Sequence, residues 1–249
     1  MSAPLPDLPY TLTETRAPQV GLIILQSDES IERDFRRMLP YGLELMISRV
    51  ASGLEVRPDT LEAMAGHLTG SAALFPDGAR MAAVGYGCTS GAAQIGPGRV
   101  ADLIRAGIAT PEVTEPVSAL IAACAHLGIG RLAILSPYIA DVSARLRTVL
   151  AGAGVATTGF GSFNVAEEAR VVRIAPESII EAGCAVAGMA DCDGLFLSCT
   201  NLRTLDVIEE MEARLGMPVL SSNQVLAWHL FRLAGSGAGD FAPGRLWRA

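Results

Sequence analysis

Short apolar runs, each closed by a turn of small or polar residues, recur along the chain and alternate with stretches of helical period. The runs "QVGLIIL" (19–25), "LELMISRV" (43–50), "RMAAVGY" (80–86), "RLAILS" (131–136), "GVATTGFGSF" (154–163), "DGLFLS" (193–198) and "MPVLSS" (217–222) predict strands. Between them, segments 28–39, 58–72, 91–107, 113–128, 140–153, 175–190, 203–215 and 223–234 predict helices. Unbroken Val/Ile/Leu runs, in place of strict apolar–polar alternation, belong to strands buried on both faces. The pattern therefore predicts parallel sheets covered by helices, an α/β architecture.

The pattern also repeats. "GLIILQSDESIERDFRRML" (21–39) and "RLAILSPYIADVSARLRTVL" (131–150) share one form: strand, short polar turn, amphipathic helix. Leu25 and Leu135 stand 110 residues apart (135 − 25). A Cys-Thr-polar triplet ends an apolar run twice, in "YGCTSG" (86–91) and "LSCTNL" (197–202), and its cysteines are 111 apart (199 − 88). Two units repeating at one interval indicate a duplication, and the period is far too long for a solenoid. The predicted fold is two similar Rossmann-like lobes with parallel sheets, related by a pseudo-twofold, with the active site in the cleft between them. An N-terminal arm (1–18) precedes lobe 1 (19–112), lobe 2 follows (113–219), and the last helix crosses back with residues 220–249 onto lobe 1.

Composition narrows the function. Half of the 249 residues are hydrophobic and 18% are charged, as in globular proteins. The net charge of −7 and the lack of any basic stripe argue against a nucleic-acid partner. The apolar stretches, such as "VSALIAACAHLGIG" (117–130), are too short and interrupted to span a bilayer. "MSAPLPDLPYTLTETRAP" lacks the basic and apolar blocks of a secretory signal, so a soluble cytoplasmic protein with no membrane partner is expected. The prolines of this arm suggest an extended segment able to pack on a neighbouring subunit, as in a homodimer or higher homo-oligomer. The five cysteines form no CxxC pair, and with the three histidines they give no zinc spacing, so neither a disulfide framework nor a metal is expected. Cys124 and Cys184 lie on apolar helical patterns as core residues, and Cys192 reads as incidental.

The chemistry concentrates in four turns, at 26–30, 87–91, 136–140 and 199–202, all at carboxyl ends of predicted strands, where parallel α/β sheets bind ligands. If the lobes face each other, Cys88 and Cys199 meet across one cleft. Each stands at or just before a predicted helix start, where free N–H groups and the dipole lower a thiol pKa. Those N–H groups, with the hydroxyls of Thr89, Ser90 and Thr200, form a cradle for a carboxylate. A carboxylate between two sulfurs suits proton transfer at the adjacent carbon: one thiolate removes a proton from one face and the opposite thiol delivers one to the other. The competing readings are a pair of buried structural thiols and a non-catalytic small-molecule receptor.

The cysteine turns, with "PYIADV" (137–142) and "LSCTNLRTLDVIEEMEARLGMPVLSSNQ" (197–224), resemble the aspartate/glutamate racemase superfamily, in the branch of arylmalonate decarboxylase and maleate cis-trans isomerase. The likeness runs from about Val20 to Gly235 and is most specific over 194–222. It implies a two-lobed pseudo-symmetric fold and cofactor-independent chemistry on a small carboxylate, with cysteine as acid, base or nucleophile. The decarboxylase pattern carries glycine where Cys88 stands, which makes simple decarboxylation a weaker expectation. The isomerase pattern has an asparagine, a carboxylate ligand, where this chain has Asp28 in "LQSD". An anion there attracts an ammonium group and repels a dicarboxylate, or else it caps the following helix. By position, Tyr138 and Asn164 correspond to groups that face the substrate, Asn201 either binds substrate or caps the helix expected after it, and Gln26 and Ser27 line the first turn. Arg99 and Arg203 follow the two cysteine turns and read as exposed helix arginines. The expected activity is amino-acid racemisation or epimerisation, with maleate-type isomerisation and arylmalonate-type decarboxylation as alternatives.

Overall fold

A computed structural model describes residues 7–13 and 15–249. Two four-stranded sheets, parallel throughout, carry the fold. The first consists of β1 (Gln19–Leu25), β2 (Glu44–Val50), β3 (Met81–Gly87) and β4 (Glu112–Thr114), in the order β2-β1-β3-β4. The second consists of β5 (Arg131–Ser136), β6 (Ala156–Ser162), β7 (Gly194–Leu197) and β8 (Val219–Ser221), in the order β6-β5-β7-β8. The same order twice is the duplication seen in the sequence. Every residue of β1 and of β7 is buried, as expected of strands covered on both faces.

Helices α1 (Ile31–Met38), α2 (Pro58–Ala63), α3 (Ala65–Ala72), α4 (Thr89–Ile95) and α5 (Pro97–Arg105) accompany the first sheet. Helices α6 (Pro116–Leu127), α7 (Ala140–Gly152), α8 (Glu168–Val171), α9 (Pro176–Gly188) and α10 (Ile208–Leu215) follow in chain order. The last helix, α11 (Ser222–Leu233), leaves β8 and packs against β3, β4, α1 and α6, returning to the first sheet. Phe35 and Phe231 meet there edge to face at 5.9 Å.

Three expectations are corrected. The helix predicted over 91–107 breaks at Gly96, which takes φ 94°, and restarts at Pro97, which has no N–H to donate. The helix predicted from 113 begins at Pro116, because Glu112–Thr114 pairs with β3 as an edge strand and Glu115 caps α6 through the N–H groups of Val117 and Ser118. The helix predicted from 203 begins at Ile208. The predicted arm lies partly outside the described residues; its described part carries exposed Leu8, Tyr10 and Leu12. Among the described residues no helix is long and apolar enough to cross a membrane.

Candidate active site

The carboxyl ends of β3 and β7 carry the two cysteine turns. After β3, Cys88 is the N-cap of α4, and its sulfur accepts the N–H of Gly91 at 3.2 Å. A Cβ at Gly91 would lie 2.6 Å from Tyr86 Oη and 2.9 Å from that sulfur, so only glycine fits. After β7 the chain enters no helix. Residues 199–207 form a buried irregular turn in which Leu202, Thr204 and Leu205 are almost inaccessible. Cys199 takes φ 156°, which L side chains seldom adopt. Its sulfur accepts the N–H of Asn201 at 3.2 Å.

One serine ties the turns together. Ser222, the first residue of α11, accepts the Cys199 N–H at 2.9 Å and the Thr89 hydroxyl at 2.7 Å on the same oxygen. Thr200 adds a second link, donating its hydroxyl to the Gly87 carbonyl at 3.3 Å. As a result Cys88 and Cys199 line one cavity, with Leu25, Val56, Thr89, Ser90, Tyr138, Glu168 and Thr200. The lobes close on it so tightly that about 10 Å³ remains, room for one water. Backbone bonds cross between two of the segments that line it. Val56 donates its N–H to the Ala166 carbonyl at 3.0 Å, and Glu168 donates its N–H to the Leu54 carbonyl at 3.2 Å. These bonds join the segment after β2 to the segment before α8.

Burial governs titration here. It pushes the Cys88 thiol up to about 12 and the Cys199 thiol well above its ordinary range, with the Glu168 charge adding to both rises. The expected lowering of both thiols is therefore corrected: one sulfur sits at a helix start, and loss of water outweighs what the helix gives. Burial thus favours the neutral thiol at both sulfurs. Burial likewise raises the Glu168 carboxyl to about 7, despite hydrogen bonds from Asn201 and Tyr138 that favour its charged form.

Of the residues predicted to bind substrate, Thr89, Ser90, Tyr138 and Thr200 line the cavity. Asn201 is buried beside it and fully engaged. Its side-chain oxygen accepts the Glu29 N–H at 2.9 Å, and its amide donates to Glu168 Oε2 at 2.7 Å. Asp28 is buried without lining the cavity; Oδ1 accepts the N–H groups of Ser30 and Ile31, both at 2.8 Å, and so caps α1. Its Oδ2 is buried with no partner among the described residues. Three predicted residues lie elsewhere. Gln26 and Asn164 are exposed, and Ser27 spends its hydroxyl on Ser52 at 3.2 Å. Gln26 and Asn164 sit where their strands leave the sheet, and the chain turns each side chain outward. Arg99 pairs with Glu62 on the surface, and Arg203 lines an outer groove with Arg33 and Arg173.

Glu168 was not foreseen. In "NVAEEARV" it looks like one of several surface acids, yet it is 4% exposed while Glu167 beside it is exposed. The only signal was its place four residues past Asn164, in the loop that the resemblance had marked.

A family model described as arylmalonate decarboxylase matches residues 101–247. The arylmalonate decarboxylase of Bordetella bronchiseptica is 40% identical over 114 residues, which cover 45% of this chain and 47% of that enzyme. The chain thus aligns with about half the length of that relative. A liganded crystal structure of arylmalonate decarboxylase, carrying one glycine-to-cysteine and one cysteine-to-serine exchange, superposes with a TM-score of 0.81 at 29% identity, over 92% of this chain and 98% of that one. The maleate cis-trans isomerase of Nocardia farcinica, a cysteine-to-serine variant with a covalently bound succinylcysteine intermediate, has a TM-score of 0.82 at 22% identity, over 93% and 98%. That likeness is one of fold.

Proposed function

The chain belongs to the arylmalonate decarboxylase family, and from that premise we propose that it is a cofactor-independent racemase or epimerase acting on a small, amino-acid-like carboxylate. The observation that carries this reading is the single cavity lined by Cys88 from one lobe and Cys199 from the other. Proton removal from one face of a carbon and delivery to the other needs two acid–base groups on opposite sides. One cysteine, as thiolate, takes the α-proton. The other, as thiol, protonates the opposite face. The negative charge that develops on the substrate carboxylate is met by the Ser90 hydroxyl and by backbone N–H groups of the two turns.

The charge of the site supports an amino-acid-like substrate. Glu168 lines the cavity, Asp28 is buried close by, and no Arg or His is among the lining residues. A dicarboxylate meets no cationic side chain among these lining residues, whereas a substrate with a cationic nitrogen beside its carboxylate gives Glu168, when ionised, an opposite charge. The chain contains no lysine, so this site does not hold pyridoxal phosphate as a Schiff base. A panel of α-amino acids and N-acyl diamino acids, incubated in D2O, is expected to contain members that lose the α-proton. A panel without exchange, together with turnover of maleate, overturns the reading.

The second reading is covalent cis-trans isomerisation, favoured by the fold shared with an isomerase whose cysteine carries a succinyl adduct. It predicts a substrate mass trapped on Cys88 or Cys199.

A further inference from the structure

The cavity holds one group that two-sulfur chemistry leaves unused. Glu168 is buried, and each of its oxygens is occupied: Oε1 accepts the Tyr138 hydroxyl at 2.9 Å and Oε2 accepts the Asn201 amide at 2.7 Å. Tyr138 Oη also lies 2.9 Å from the Cys199 sulfur. A phenol has one proton to donate. Either atom can donate in the Tyr138–Cys199 contact; when Glu168 is ionised and takes the phenolic proton, the thiol proton fills that contact, and the sulfur keeps a lone pair for the Asn201 N–H at 3.2 Å. In that state the hydrogen bonds run one way, from S–H to O–H to carboxylate.

We propose that Glu168 draws the proton of Cys199 through Tyr138 and so makes Cys199 the thiolate of the pair. As the S–H bond breaks, its proton joins Tyr138 Oη, while the phenolic proton leaves Oη for Glu168 Oε1. The products are a thiolate, a neutral tyrosine and a carboxylic acid. No charge is created; one negative charge moves from Glu168 to Cys199, where the Asn201 N–H already points at the sulfur. Cys88 has the Gly91 N–H and the Tyr86 hydroxyl beside its sulfur, but among the described residues that tyrosine hydrogen-bonds no carboxylate, so no equivalent path leads from it. The titratable groups facing Glu168 are Cys88, Cys199, Tyr138 and Asp28, all buried. With a carboxyl raised to about 7, Glu168 is the one lining group that changes charge near neutral pH. It acts through Tyr138, as a proton-holding and positioning residue.

The test needs no substrate, so its failure is separate from failure of the racemase reading, on which the identity of the thiolate's target rests. In a Cys88→Ser protein, the rate of iodoacetamide alkylation at Cys199 is followed by mass spectrometry from about pH 5 to pH 9. The rate is expected to rise through about pH 7. Glu168→Gln is expected to remove that inflection and slow the reaction at pH 7.5 by roughly tenfold or more, the equivalent of at least one pKa unit. Tyr138→Phe leaves the carboxylate but cuts the path, and is expected to do the same. An unchanged profile in either variant overturns the proposal. So does faster alkylation in Glu168→Gln, which is what removal of a merely repulsive neighbouring charge would produce.

Discussion

The two cysteine turns sit at matching strand ends of two sheets with the same strand order, yet their surroundings differ. Cys88 caps a helix, with its sulfur beside the Gly91 N–H and the Tyr86 hydroxyl and too close to Gly91 for a Cβ there. Cys199 precedes an irregular turn, takes φ 156° and joins a polar network of Tyr138, Asn201 and Glu168. Duplication gave the sulfurs equivalent positions. One now caps a helix and the other sits in a hydrogen-bonded network that ends on a carboxylate, so the reaction need not treat them alike.

Replacing the sulfurs breaks the comparison most severely. Cys88→Ser and Cys199→Ser are each expected to lower racemisation by about 10³-fold, within the range for lost general acid–base groups. Because the two act as a unit, the double variant is expected to be little worse than either single one. Initial rates on the exchanging substrate check this. If CO2 release from an arylmalonate survives Cys88→Ser and not Cys199→Ser, the chemistry is one-sided decarboxylation instead.

A smaller effect sharpens the polar side. Burial raises the Glu168 carboxyl from 4.5 to about 7, so between those pH values the folded chain keeps a proton that the unfolded chain has released. Its contribution to stability is complete below pH 4.5 and is lost as pH rises through about 7. The shift corresponds to about 3 kcal/mol. Glu168→Gln does not titrate, so its stability relative to the parent is expected to improve by up to that amount from pH 4.5 to pH 8. Urea unfolding at several pH values checks the slope.

Smaller still is a change on the Cys88 side. Gly91→Ala places a Cβ against Tyr86 Oη, Met64 Cε and the Cys88 sulfur. Overpacking of this kind costs about 1–3 kcal/mol. The displaced sulfur is expected to alter Cys88 alkylation while the pH profile of Cys199 stays as in the parent.

The long strands were legible because Val, Ile and Leu runs such as 19–25 and 131–136 have few other uses in a chain of this composition. β4 was not, because three residues, Glu112–Thr114, are too few to show a period and Pro116 after them announces a helix. The turn that follows Cys199 was expected to pass into a helix at 203, five residues before the helix starts at Ile208 (208 − 203). In the fold that stretch is shaped by long-range bonds, among them Asn223 donating to the Thr200 carbonyl at 2.8 Å. The cysteine pair was visible through the repeat. The thiol pKa values were misjudged because a helix terminus can be read locally, whereas burial depends on the other lobe. Glu168 was hidden for the same reason: its neutral-range carboxyl comes from burial by distant parts of the chain, which outweighs the hydrogen bonds from Tyr138 and Asn201.

Isotope incorporation during the first turnovers probes the opposed sulfurs most directly. A single enantiomer of an exchanging amino acid is converted in D2O, and both product and recovered substrate are analysed by mass spectrometry. Two sulfurs on opposite faces predict one deuterium at the α-carbon of the product and none in the remaining substrate at early times. Deuterium appearing in recovered substrate as fast as in product would mean one group serving both faces, and would contradict the account.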